Sequence, residues 1–85
     1  MDTEQIRAKI REVLAAHAKL PVDVRTLADD ADLFAAGMTS FSSVNVMLAL
    51  EDAFDVEFPD DMLNRRVFEN VDAITQAVTS IAAPA

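Results

Sequence analysis

A chain of 85 residues with 15 Asp plus Glu against 7 Lys plus Arg carries a formal charge of −8, which repels nucleic acid and anionic bilayers alike and suits either a basic partner surface or simple solubility. Hydrophobic residues at 52% rule out a disordered acidic tail, and the absence of Cys rules out a disulfide framework or a zinc–thiolate site. No apolar run approaches the roughly 20 residues of a bilayer span, and Met1-Asp2-Thr3-Glu4 has no leader character; the expectation is one small cytoplasmic domain over residues 1–85, monomeric, with a frayed tail at 82–85.

The first segment, about Thr3 to Ala18, repeats Ile6, Ile10, Val13, Leu14 and Ala18 at helical spacing, with Thr3 as its expected N-cap and Pro21 just past its end. A long connection from Leu20 to Thr39 follows. It carries Pro21, the acids Asp29, Asp30 and Asp32, the single Gly37, and the apolar pins Leu27, Leu33 and Phe34. Loops of this length are functional or hold a short helical turn. The three acids are a candidate weak cation site by charge relief; an EF-hand is excluded, because Phe34 stands at a ligand position.

The second helix, about Ser40 to Phe54, shows two apolar stripes. Val46, Met47, Leu50 and Phe54 form one, continued backwards by Ser43; Phe41, Val44 and Leu48 form the other. A surface helix needs one buried stripe. The second reads as a docking face bordered by Asn45, Glu51, Asp52 and Asp55, the alternative being a helix buried on both sides. Pro59-Asp60-Asp61 begins a short helix continued by Met62, Leu63, Val67 and Phe68. Asn70 caps a last helix with Val71, Ile74, Val78 and Ile81 at helical spacing. No strand pattern is evident. The expected fold is all-α, with three main helices, one short helix and a long first loop.

Gly37-Met38-Thr39-Ser40-Phe41 delivers a serine from a glycine-containing loop to a helix start. Free N–H groups and the positive helix end favour a phosphate there, although a serine in that place is more often just an N-cap. His17, the only histidine, stands in the first helix with no evident orienting partner, so no Ser–His–Asp triad is expected. Met38, Met47 and Met62 read as soft core fillers rather than the lining of a cargo pocket.

Three elements in order resemble the acyl carrier protein family. Gly37-Met38-Thr39-Ser40-Phe41 matches its G-x-[DS]-S-[LF] loop, Leu48-Ala49-Leu50-Glu51-Asp52-Ala53-Phe54 its acidic helix end, and Phe54-Asp55-Val56-Glu57-Phe58-Pro59-Asp60 the segment after it. The resemblance runs from the first helix to about Ile81. It implies a four-helix bundle and a 4′-phosphopantetheine esterified to Ser40. It also implies a phosphopantetheinyl transferase, a loading ligase and a downstream acceptor enzyme as partners, and no catalysis by the chain itself. Thr39 stands where the family has Asp, Phe41 where it commonly has Leu, and Arg65-Arg66 adds positive charge to a usually acidic region. The stretches around Ser40-Phe41 and Pro59–Arg65 are similar to stand-alone aminoacyl carrier proteins, which are charged by truncated relatives of seryl-tRNA synthetase. That subgroup implies an aminoacyl thioester as cargo. A fatty-acyl or polyketide carrier is the first alternative, and an acidic helical interaction module without a prosthetic group the second.

Overall fold

The computed structural model describes residues 2–82. Three helices form where the periodicity places them: α1 over Thr3–His17, α2 over Ser40–Phe54 and α3 over Val71–Ala82. Among the described residues there is no strand. The apolar stripe of α1 is buried at Ile6, Ile10, Val13 and Leu14, and α1 packs against both α2 and α3. Its start differs from expectation. Asp2, not Thr3, is the N-cap: its carboxylate accepts from Gln5 N at 2.8 Å while the Gln5 side chain accepts from Asp2 N at 3.0 Å. A box starting from Thr3 would need a polar partner at position 6, which is Ile6.

The connection between α1 and α2 is tied down at several points. It carries a 3₁₀ turn at Val24–Thr26, and Val24 and Leu33 are buried in the core. Arg11 on α1 donates to the carbonyls of Val24 (2.7 Å) and Leu27 (3.0 Å) and pairs with Asp29. Leu33 N donates to Glu69 O at 2.7 Å and Asp72 N to Asp29 O at 3.0 Å. The loop is thereby fixed to α1 on one side and to the start of α3 on the other.

The expected short helix before α3 is instead two separate 3₁₀ turns, Asp60–Met62 and Arg65–Phe68. Asn64 lies between them in an extended conformation, and its side chain accepts from Val67 N at 3.2 Å, which starts a new turn rather than continuing the old one. Phe68 then meets Phe58 edge-on, with centroids 5.4 Å apart. Asn70 caps α3 as expected, accepting from Ala73 N at 2.7 Å. Of the tail expected to fray, Ala82 closes α3; residues 83–85 lie outside the described residues.

Candidate functional site

The loop that delivers Ser40 is built from local hydrogen bonds. Asp32 accepts from Phe34 N (2.9 Å) and Ala35 N (3.2 Å), and Ala36 N reaches Asp32 O at 3.0 Å, forming one helical turn. Gly37 ends that turn at φ +127°, a conformation that side chains rarely adopt, and a Cβ there would lie 2.8 Å from Pro21 Cδ. Met38 is buried and donates from its backbone to Leu33 O at 2.9 Å. The chain therefore enters α2 from a fixed point.

Thr39 is the N-cap of α2. Its hydroxyl accepts from Ser42 N at 3.0 Å, and Thr39 N donates to Ser42 Oγ at 2.9 Å. The capping task is thus taken by Thr39 and Ser42, and Ser40 is the first residue of the helix proper. Ser40 is exposed. Its carbonyl accepts from Ser43 Oγ at 2.7 Å, while among the described residues its hydroxyl makes no hydrogen bond. The N–H groups of the first helical positions have no acceptor within the helix. An esterified phosphate at Ser40 would sit beside them and at the positive end of the helix dipole. Ser42, rather than the expected Ser43, continues the buried stripe, because its hydroxyl is folded back into the cap.

Helix α2 presents its two stripes to different surroundings. Val46 and Leu50 are fully buried, whereas Phe41, Val44 and Leu48 are 81%, 50% and 53% exposed. The second stripe is therefore a surface, not a second core face. Asn45, Asp52 and Asp55 are exposed around it. Glu51 departs from the expected acidic rim. It is half-buried, and its carboxylate accepts from Phe58 N at 2.8 Å, latching the segment after α2 onto the helix.

Beside Ser40 lies a groove of about 270 Å³. Ser40, Ser43, Val44 and Met47 form its α2 wall; Phe34, Leu63, Asn64, Arg65 and Phe68 face them. The Arg65 guanidinium rests over the Phe34 ring, 4.2 Å from its centroid. This groove was not evident from helical periodicity, because its far wall comes from the loop and from two non-repeating 3₁₀ turns. The only signal was compositional, the basic pair Arg65-Arg66 in an acidic chain.

Other candidates are dispersed by the fold. His17 is exposed in the last turn of α1 and does not line the Ser40 groove. The acids expected to form a weak cation site do not gather. Asp29 is held by Arg11, Asp32 caps its turn, and among the described residues no group of three His, Cys, Asp or Glu side chains is placed to hold a metal ion. Met38 is a core filler as expected, and Met47 and Met62 pack against the core half-buried, Met47 lining the groove as well.

The site is thus a free, exposed serine hydroxyl in the first turn of a capped helix of a small helical domain, with an exposed apolar stripe on the same helix. Comparison with known proteins gives the family. Residues 4–78 match the family described as "Phosphopantetheine attachment site", and the chain belongs to it. It is 53% identical over 76 residues to an aminoacyl carrier protein of Agrobacterium fabrum, covering 89% of this chain and 92% of that one. Among solved structures, it is similar to the Agrobacterium tumefaciens carrier protein crystallised with an engineered Bradyrhizobium japonicum glycine:[carrier protein] ligase and ATP. The identity is 53% and the TM-score 0.87, over 89% of this chain and 99% of that one. A structure of the B. japonicum ligase with a glycylated carrier protein shares the fold, with a TM-score of 0.74 at 23% identity over 86% of this chain and 97% of that one. The all-α carrier-protein fold, with 3₁₀ turns in place of the short helix, and an aminoacyl carrier protein relationship are thereby established, and with them a covalent 4′-phosphopantetheine as the group the family carries.

Proposed function

We propose that Ser40 is the attachment point, and that the chain holds an aminoacyl group there as a thioester and presents it to successive enzymes without catalysing any step. The observation that carries this reading is the division of labour at the start of α2: Thr39 and Ser42 close the cap, leaving the Ser40 hydroxyl exposed and uncommitted. When bound, the group supplies a terminal thiol on a flexible arm. The chain's own residues do the rest. The N–H groups of Ser40 and Phe41 at the start of α2 would lie beside the ester phosphate, that of Ser42 being taken by the Thr39 cap. Phe41, Val44 and Leu48, with Asp52 and Asp55 beside them, are the address read by a phosphopantetheinyl transferase, a loading ligase and an acceptor enzyme.

For the cargo, the support is the relationship at 53% identity to an aminoacyl carrier protein and to a carrier crystallised with a glycine:[carrier protein] ligase. A small amino acid also suits the physics. Its ammonium is costly to bury, so it gains nothing from an opened helix bundle, whereas a fatty acyl chain gains about 0.8 kcal/mol per methylene buried. An ATP-binding ligase as partner fits a monomeric domain working in the cytoplasm.

Intact mass tests the attachment. After incubation with coenzyme A and a phosphopantetheinyl transferase, the wild type gains one phosphopantetheine and Ser40→Ala gains none. Modification of the Ala variant would move the site elsewhere. Loading the modified protein with a glycine:[carrier protein] ligase, ATP and single amino acids then identifies the cargo; loading by a fatty acyl ligase alone would return the chain to the fatty-acyl class.

A further inference from the structure

Arg65 has no role in the capping or in the docking stripe. Among the described residues, Arg7, Lys9, Arg11 and Arg25 are each paired with a carboxylate, and Lys19, Arg65 and Arg66 are not. Of these three, Arg65 is the one that rests on an aromatic ring, that of Phe34. Stacking fixes the plane of a guanidinium and leaves its N–H edges free for an anion.

Arg65 is also the one charged residue lining the groove at Ser40. The other polar side chains of the wall, Ser40 apart, already make hydrogen bonds. Asn64 donates to Asp61 O at 3.0 Å and accepts from Val67 N at 3.2 Å, and Ser43 Oγ donates to Ser40 O at 2.7 Å. The rest of the surface is apolar, including Leu63, which is 46% exposed.

We infer that Arg65, stacked on Phe34, pairs with the phosphodiester at Ser40 and lays the pantetheine arm along the groove over Val44, Met47 and Leu63 between deliveries. This rests on attachment at Ser40. The occupant is set by complementarity: an anion tethered at Ser40, followed by an arm with gem-dimethyl and methylene carbons, meets one unpaired guanidinium followed by apolar wall. Arg65 is a positioning residue for the arm. Arg66, its neighbour, is not part of the groove wall and serves as the control.

The test uses the phosphopantetheinylated protein without cargo, its intact mass verified for wild type, Arg65→Ala, Arg65→Gln and Arg66→Ala. Backbone amide spectra are compared before and after modification, together with the phosphorus resonance of the diester. In the wild type, modification shifts the amides of Phe34, Leu63 and Arg65 as well as those next to Ser40. Both Arg65 variants lose the remote shifts and move the phosphorus resonance, whereas Arg66→Ala keeps the wild-type pattern. Arg65 is exposed, and unmodified spectra report the fold of each variant. A gained mass with silent groove amides, or equal shifts in the Arg65 variants, overturns the cradle alone. A wild type that gains no mass at Ser40 overturns the attachment as well.

Discussion

Thr39 shows how one residue frees another. The family's usual Asp would cap the helix equally well, but it would set a negative charge next to an esterified phosphate. The threonine caps without charge, so the positive end of α2 would remain for a phosphate esterified to Ser40. Thr39→Ala should cost about 1 kcal/mol, which for a domain of this size lowers Tm by about 4–8 °C. Ser40→Ala should stay within about 0.5 kcal/mol of wild type, since its hydroxyl supports nothing in the fold. Thermal melts of the two unmodified variants check the contrast; equal losses would mean that Ser40 shares the cap. That Ser40 stands at the junction of loop and helix was legible in the sequence from the glycine-containing loop before it and the apolar periodicity after it. The identity of the caps was not. Asp2 and Thr3 are both good capping residues, and only the partner three positions on decides between them.

Helix α2 is an element with two faces that substitutions should separate. Leu50 is fully buried, so Leu50→Ala should cost about 2–5 kcal/mol, a large part of the stability of so small a domain. Val44→Arg should leave Tm close to wild type and sharply slow aminoacylation by the loading ligase, because it puts a charge on the exposed stripe, at the edge of the Ser40 groove, without touching the core. Melting curves and loading rates of both variants measure this. A Val44→Arg protein that loads normally would remove the docking role of the stripe. The helices were legible because their apolar residues repeat over twelve or fifteen residues. The segment between α2 and α3 was not, since turns of three and four residues are too short to show a period. Glu51 misled for a related reason: a carboxylate on a helix end reads as a docking acid until the chain beyond it returns Phe58 N to within 2.8 Å.

At the scale of the whole molecule, the charge of −8 is unevenly neutralised. Arg7 and Arg11 gather Asp29 and Asp72, joining α1, the long loop and the start of α3. This cluster turns an apparently repulsive loop into a tie. Asp29 also accepts from Asp72 N through its carbonyl, so the backbone and side chain of one residue hold two elements. Removing its charge in Asp29→Asn should destabilise the fold by about 1–2 kcal/mol, the value of charge-assisted hydrogen bonds reduced for partial exposure. The remaining acids are spread over the surface and repel over distance. Raising NaCl from 10 to 150 mM shortens the screening length from about 30 to about 8 Å, and Tm should rise accordingly. Because Asp29 is committed to arginines and Asp32 to a turn, and among the described residues no three acids are placed to hold an ion, MgCl₂ at matched ionic strength should raise Tm no further than NaCl does. Differential scanning calorimetry in the two salts decides it: an additional, saturable rise with magnesium, lost in Asp30→Asn or Asp32→Asn, would show that the loop rearranges to bind the ion after all.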